Sequence, residues 1–351
     1  MLGLDKQLTE KVDKHISKFS KILKSCLKIK KEDDVLIISD YGEGDKQLAA
    51  MMGYGYYQAA LKKGLKARII FQDVKKGFMH ADENVIRELE VIENNQVVIL
   101  SISNKLGRMK GMGKSFRTYC RDRGHRYISA TGLGGTSAGT FDLFMEAVNT
   151  NYGRMQRKGR KLKRILDKAK EIRIKTEQGT DVTFDVRLKK AIANVGAYGE
   201  AGEGGNIPAG EVYIPPRGLE GVEGTVIIDG SVRCDDGTIK LKEPMTLVIA
   251  KGRIIKIEGD PNGLLEKTLV RREDRAKFPE RVRLIGELGI GINPGAVLVG
   301  SSILDEKVLG TAHIAIGSNY WFGGDIRTVV HIDQVFLNPQ IFVDGKEIKV
   351  Q

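Results

Sequence analysis

Residues 35–39 read Val-Leu-Ile-Ile-Ser, a short β-branched run that ends at Asp40, Tyr41 and Gly42. Similar runs recur through the first 150 residues and are separated by stretches whose apolar residues have helical spacing. Continuous apolar strands that alternate with amphipathic helices are typical of a parallel sheet covered by helices. The pattern therefore predicts a doubly wound α/β fold for this part of the chain. The other predicted strands are 67–71, 96–101 and 126–129, and the predicted helices are 45–63, 81–94 and 115–123.

The pattern of apolar residues changes after residue 170, where closely spaced strands replace the alternation of strands and helices. Residues 171–188 predict a hairpin that turns at 177–179, and 245–250 and 253–258 predict another across Lys251 and Gly252. Further strands are predicted at 224–229, 282–292, 312–316 and 329–336. These patterns indicate a strand-rich α+β domain. The predicted domains are an α/β domain at 1–153, a basic linker helix at 154–175 and a metal-binding catalytic domain at 176–351.

One basic segment carries most of the net charge of +12. Residues 154–175 contain eleven Lys or Arg and two Asp or Glu, a net of +9. Leu162, Ile165, Leu166 and Ala169 fall at helical spacing, which predicts an amphipathic helix with a basic outer face. A solvated linker helix is the preferred interpretation. The alternative is a metal-stabilised protein that binds RNA or an acidic partner through this helix.

Two glycine-bearing loops follow predicted strands, at 40–45 and 131–139. Loops at the carboxyl ends of parallel strands often hold ligands. Neither loop is a Walker motif, and Gly132-Leu133-Gly134 lacks the full GxGxxG frame. Ordinary turns are therefore preferred, and no nucleotide cofactor is predicted.

The cysteines and the hydropathy indicate the cellular compartment. Cys26, Cys120 and Cys234 lie far apart and are odd in number, so they predict neither a disulfide framework nor a zinc knuckle. No run of 18 apolar residues predicts a membrane span. We therefore expect a cytoplasmic protein without a membrane partner.

Five acidic or imidazole residues in the second half of the chain are candidate metal ligands: Glu211, Glu287, His313, His331 and Asp333. Glu211 follows a turn fixed by one Pro and two Gly, and Glu287 lies in an apolar, Gly-rich strand. A carboxylate in such a strand needs a cation or strong donors, because burying it unpaired is costly. His331 and Asp333 are two residues apart in a predicted strand, so both project from the same face.

The number and type of these ligands indicate hydrolytic chemistry. Three carboxylates and two imidazoles exceed the needs of one tetrahedral ion, and they suit two divalent ions bridged by a carboxylate. Two such ions can share a water molecule, lower its pKa and polarise a carbonyl group. Since no thiolate is involved, Zn²⁺, Co²⁺ and Mn²⁺ are all compatible. The residues therefore predict a metal-dependent hydrolase.

Two motifs, GGNIPAGEVY at 204–213 and GTAHIAIGSNY at 310–320, resemble the M29 peptidases, the family of thermophilic aminopeptidase T. The order Glu, Glu, His, Tyr, His-x-Asp also matches that family. The resemblance implies a two-metal aminopeptidase that acts on peptides and forms a homodimer. It implies catalytic roles for Glu211 and Tyr320, the latter at the metal or as a donor to the tetrahedral intermediate. The implied metal ligands are Glu211, Glu287, His313, Tyr320, His331 and Asp333.

One segment departs from the aminopeptidase pattern, because 320–331 is shorter than in the larger aminopeptidases. The same superfamily includes mononuclear iron dioxygenases that open a dihydroxypyridine ring and are similar in size to this chain. Their chemistry needs two imidazoles and one carboxylate, which His313, His331 and Asp333 could supply. Because both glutamates are present, the two-metal aminopeptidase is preferred, and the ring-cleaving dioxygenase is the alternative.

Overall fold

The computed structural model describes residues 4–112 and 115–350. The chain divides into two compact units, each made of two segments. The N-terminal unit comprises Met1–Gly153 and Gly196–Ala209, and the C-terminal unit comprises Arg154–Val195 and Gly210–Gln351. The division predicted from sequence at residues 153 and 175 thus differs from the observed one, which assigns 196–209 to the N-terminal unit and 154–175 to the C-terminal unit.

The described residues form the following regular elements. The helices are α1 (Lys6–Asp13), α2 (Ile16–Ser25), α3 (Leu48–Lys62), α4 (Glu83–Val91), α5 (Phe116–Asp122), α6 (Phe141–Val148), α7 (Tyr152–Leu166), α8 (Leu264–Glu273) and α9 (Ser302–Asp305). The strands are β1 (Asp34–Asp40), β2 (Lys66–Gln72), β3 (Val97–Ser101), β4 (Arg126–Ala130), β5 (Glu171–Lys175), β6 (Asp181–Asp185), β7 (Ile192–Asn194), β8 (Gly204–Gly205), β9 (Glu211–Ile214), β10 (Val222–Ile228), β11 (Ser231–Cys234), β12 (Gly237–Lys240), β13 (Met245–Ala250), β14 (Arg253–Glu258), β15 (Ile285–Gly291), β16 (Thr311–Gly317), β17 (His331–Leu337), β18 (Gln340–Val343) and β19 (Lys346–Ile348). Among the described residues, no helix is long and apolar enough to cross a lipid bilayer.

The N-terminal unit contains a parallel sheet in the order β2-β1-β3-β4-β8. Alternate side chains of β1 face opposite sides of this sheet. Leu36 and Ile38 join one apolar cluster with Val85 of α4, whereas the Ser39 hydroxyl donates to the Ala49 carbonyl of α3 on the other side. Burial on both faces explains why β1 is apolar along its length. The predicted doubly wound α/β fold is confirmed.

The C-terminal unit contains two antiparallel sheets. Their strand orders are β14-β13-β10-β6-β5-β18-β19 and β12-β11-β17-β16-β15-β9-β7. The two predicted hairpins are present as the pairs β5–β6 and β13–β14. We call the second of these sheets the metal-site sheet, since it carries all five candidate ligands discussed below. The predicted strand-rich α+β fold is confirmed.

The basic segment 154–175 is not a single helix. Helix α7 ends at Leu166, and the segment continues into β5, which pairs with β6 and β18. The apolar side chains of Met155, Leu162 and Leu166 are buried, while the basic side chains face outward. The burial of α7 agrees with an amphipathic helix, but the helix is shorter than predicted, and from Glu171 onward the apolar residues alternate as in a strand.

A buried ion pair ties the start of β4 to the segment before β1. The Arg126 guanidinium contacts the Asp33 carboxylate and also donates to the carbonyl groups of Leu27 (2.8 Å) and Lys28 (3.1 Å). Both charged side chains are almost completely buried. The Asp33 carboxylate compensates the charge of the guanidinium, and the two carbonyl groups accept from its other N–H groups. Removing the charge of Asp33 would leave a buried cation without a counter-charge.

We predict that Asp33→Asn lowers the free energy of unfolding by about 3–5 kcal/mol, because the buried guanidinium loses its counter-charge. The measurement is urea unfolding followed by far-ultraviolet circular dichroism. The control is Glu10→Gln, which removes one partner of the exposed Lys6–Glu10 pair and should change stability by at most about 0.5 kcal/mol. Equal effects of the two substitutions would contradict a stabilising role for the buried pair.

Candidate metal centre

Strand register brings the five candidate ligands to one face of the metal-site sheet. Side chains directly opposite each other, or two apart along a strand, project from the same face. Ala315 lies opposite both Glu287 and Asp333, and Gly289 lies opposite His313. Four neighbouring strands contribute the ligands: Glu211 on β9, Glu287 on β15, His313 on β16, and His331 and Asp333 on β17.

The ligand atoms of these side chains converge. His313 Nε2 lies 3.2 Å from Glu287 Oε1 and 3.9 Å from Glu211 Oε2. His331 Nε2 lies 3.5 Å from Asp333 Oδ1 and 3.8 Å from Glu287 Oε2. The side chain of His331 is 25% exposed, and the other four residues are buried. The structure thus brings all five together in a hollow that opens at His331.

The glycine at position 289 creates the space for the His313 imidazole. A Cβ atom at this position would lie 2.0 Å from His313 Nε2, far inside van der Waals contact. Any other residue would displace the imidazole from the strand opposite. Glycine at position 289 is therefore a steric requirement of the site.

Two hydrogen bonds orient the ligands on β17. His331 Nδ1 donates to the Ser318 carbonyl at 2.8 Å, because a carbonyl oxygen can only accept. In the neutral imidazole this leaves the lone pair on Nε2, which faces Asp333 and Glu287. The Ser302 hydroxyl donates to Asp333 Oδ2 at 2.9 Å. Such partners fix the tautomer and the direction of metal ligands.

The electrostatics of the hollow favour a cation. Burial opposes a charge on His313, but the hydrogen bond with Glu287 and the charges of Asp333, Glu287 and Glu211 outweigh it and raise the pKa of His313 to about 9. Burial also opposes ionisation of Asp333, yet the two imidazoles hold the pKa of its carboxyl well below the usual range. Carboxylates and imidazoles are ligands for divalent transition metals. The residues present therefore fit a metal ion by geometry and by charge.

A buried lysine, which the sequence interpretation missed, lies beside this hollow. Lys307 is 0% exposed, and its Nζ lies 2.6 Å from Glu211 Oε1 and also contacts Glu306. Asn194 donates to the same oxygen of Glu211 at 2.9 Å. Burial opposes the charge of Lys307, but Glu211 and Glu306 raise its pKa above the usual range. No sequence pattern signals this role, because the Glu-Lys pair at 306–307 resembles an exposed loop.

Tyr320, a predicted metal ligand and catalytic hydrogen-bond donor, is more exposed than the five residues described above. Its side chain is 56% exposed, and the guanidinium of Arg327 lies 3.9 Å from the centre of its ring. The roles predicted for Tyr320 stay predictions. The neighbouring Trp321 is closer to the ligands, because its ring centre lies 4.7 Å from that of His331 in an edge-to-face arrangement. Phe322 is also near His331, at 6.3 Å between ring centres.

We predict that Gly289→Ala removes most of the bound metal, because the added methyl group would displace His313. Metal content per chain, measured by elemental analysis after loading and dialysis, tests this. Gly135→Ala is the control, since a Cβ atom at that position meets nothing within 4 Å. A Gly289→Ala variant that keeps the metal content of the unaltered protein would contradict the proposed placement of His313.

Comparisons with known proteins identify one family and two similar solved structures. The family model for NicX, 2,5-dihydroxypyridine 5,6-dioxygenase, matches residues 144–351. The solved 2,5-dihydroxypyridine dioxygenase from Pseudomonas putida KT2440 matches with a TM-score of 0.73 and 17% identity, covering 96% of this chain and 95% of that one. Wild-type AmpT from Thermus thermophilus matches with a TM-score of 0.61 and 15% identity, covering 94% of each chain. No curated protein matches the sequence.

These matches favour the dioxygenase interpretation over the aminopeptidase interpretation. The likeness to AmpT agrees with the M29 resemblance, but at 15% identity it shows a shared fold only. The family match favours the dioxygenase, which the sequence interpretation placed second. Since the matched region is more than half of the chain, the chain belongs to the NicX, 2,5-dihydroxypyridine 5,6-dioxygenase, family.

Proposed function

We propose that this protein is a mononuclear, iron-dependent dioxygenase that opens the ring of a dihydroxylated pyridine. The observation that carries the proposal is the arrangement of two imidazoles and a carboxylate, His313, His331 and Asp333, on one face of the metal-site sheet. The ligand atoms of His313, Asp333 and Glu287 lie within 4.8 Å of one another, and His331 Nε2 lies 3.5 Å from Asp333 Oδ1. This set of ligands is typical of non-haem iron oxygenases. The family membership supports the same chemistry.

The residues of the proposed site have two roles, to bind the ion and to orient its ligands. His313, His331 and Asp333 would hold the ion, with Glu287 facing both imidazoles as a further oxygen ligand. A ferrous ion held there would supply the redox-active centre at which dioxygen can react with an aromatic ring, and the dihydroxylated ring itself would provide the electrons. Ser318 and Ser302 keep His331 and Asp333 oriented toward the ion. Both oxygen atoms of dioxygen would enter the product as the ring bond breaks.

The surroundings of His331 suit a flat aromatic substrate. Trp321 packs edge-to-face on His331, and Phe322 packs edge-to-face on Tyr213 at 5.2 Å between ring centres. Because Trp321 is 55% exposed, its indole ring is accessible at the open side of the hollow. Aromatic pairs contribute about 0.5–1.5 kcal/mol beyond the burial of their area. We propose that these rings bind the substrate ring beside the metal ion.

A two-metal aminopeptidase is the second candidate. It is favoured by the presence of both Glu211 and Glu287 and by the second group of ligand atoms, from Glu211, Glu306 and His313, which lie within 4.8 Å of one another. The ion pair between Lys307 and Glu211 weighs against it, because one oxygen of Glu211 is already bound to an ammonium group. We therefore prefer the dioxygenase.

We predict that the protein, loaded with Fe²⁺ under anaerobic conditions, binds one ion per chain and consumes dioxygen when 2,5-dihydroxypyridine is added. The measurements are elemental analysis and oxygen uptake with an electrode. Amino-acyl amides, with Co²⁺, Zn²⁺ or Mn²⁺ in place of iron, are the parallel substrates. Two ions per chain together with amide cleavage, and no oxygen uptake, would reject the dioxygenase in favour of the aminopeptidase.

We predict that Glu287→Gln lowers turnover by about 100-fold or more without unfolding the chain, because the neutral amide binds a divalent ion poorly and no longer faces the imidazoles with a charge. The assay is oxygen uptake, with circular dichroism as the check on folding. The matched control is Glu258→Gln on the exposed strand β14, which should keep full activity. A fully active Glu287→Gln variant would exclude Glu287 from the site.

A further inference from the structure

Lys307 is unusual because it is a completely buried cation within a group of acids. Its Nζ lies 2.6 Å from Glu211 Oε1, and it also contacts Glu306. Removing an ammonium group from water costs several kcal/mol, and the structure retains such groups only where charged partners compensate. The partners here belong to a set of ligand atoms that could itself hold a metal ion: Glu211, Glu306 and His313.

The two possible cation positions share one residue. His313 belongs to the group formed with Glu287 and Asp333 and also to the group formed with Glu211 and Glu306. The Nε2 lone pair of His313 can bind only one ion. Two ions about 3.5–4 Å apart would therefore need a carboxylate between them, and Glu211, whose Oε2 lies 3.9 Å from His313 Nε2, is the acid of the second group that is placed for it. In this chain the second group already contains the ammonium of Lys307, within hydrogen-bonding distance of one carboxylate oxygen of Glu211.

We infer that Lys307 takes the place of a second metal ion and limits the centre to one. Glu211 faces His313 through Oε2, at 3.9 Å, and holds the Lys307 Nζ at 2.6 Å from Oε1. A metal ion bound to Glu211, at about 2.0–2.2 Å from its oxygen, would share one carboxylate group with the ammonium, so the two cations would repel each other. The ammonium neutralises the acids as a metal would, but it offers no position at which water or substrate can bind.

The inference also assigns a role to Glu211. In a two-metal centre this residue would be a ligand, whereas here one of its oxygens accepts from both Lys307 and Asn194. Glu211 therefore anchors the built-in cation. The inference rests on the proposed one-metal centre, but it does not depend on the reaction that the centre catalyses.

Metal stoichiometry tests the inference, with Co²⁺ alone as the probe. Metal-free protein is titrated with Co²⁺, bound ions are counted by equilibrium dialysis, and spin coupling between neighbouring ions is followed by electron paramagnetic resonance. We expect one ion in the unaltered protein and two coupled ions in Lys307→Met. The double variant Lys307→Met with Glu306→Gln should return to one ion, because the second group then loses an acid.

The matched control is Lys75→Met, because Lys75 is also buried and paired with a carboxylate, that of Asp82, in the N-terminal unit. This variant should bind one ion. If Lys307→Met unfolds without metal, excess Co²⁺ should restore its fold, since an ion that binds only the folded state stabilises it.

Four outcomes would overturn the inference: two ions in the unaltered protein, one ion in folded Lys307→Met, two ions in the double variant, or a Lys307→Met chain that stays unfolded with Co²⁺. One ion without oxygen uptake on a dihydroxypyridine would instead reject the proposed reaction and leave the role of Lys307 intact.

Discussion

The metal-site sheet depends on one constraint, the compensation of buried negative charge. Glu211, Glu287 and Asp333 are buried on one face of this sheet, and each faces the imidazole of His313 or His331. Carboxylates in such a place require cations, and the structure supplies them by two means. Lys307 compensates Glu211, and the remaining acids, with two imidazoles, form a position suited to a metal ion. Gly289 of β15 belongs to the same arrangement, because only glycine leaves room for His313.

Much of the fold could be predicted from the sequence, because periodic apolar patterns report burial directly. Strands β1 to β4 of the parallel sheet, the two hairpins and strands β15, β16 and β17, which carry four of the five ligands, all followed from such patterns. Strand β8 could not be predicted, since Gly204 and Gly205 have no side chains to show a period. Helices α1, α2, α6, α8 and α9 were also missed. The chain returns to the N-terminal unit at 196–209, a long-range feature that local pattern cannot reveal.

The candidate site was predictable in part. The five ligand positions came from residue type and strand context, and the structure brings them together on one face. The contribution of Lys307 was hidden, because its burial depends on the loop after α9 and on Glu211, almost a hundred residues away. That contact affects the choice between one and two metal ions, and so between the two interpretations. A fold shared with AmpT and with a dioxygenase cannot make the choice alone, since function lies in the site.

Trp321 has a consequence for how the site can be observed. It is the single tryptophan of the chain, and its ring centre lies 4.7 Å from that of His331. Indole emission excited at long wavelength therefore originates beside the proposed metal ligands and nowhere else in the protein. The molecule carries an intrinsic optical probe of its own centre, sensitive to a quenching ion or a stacked ring.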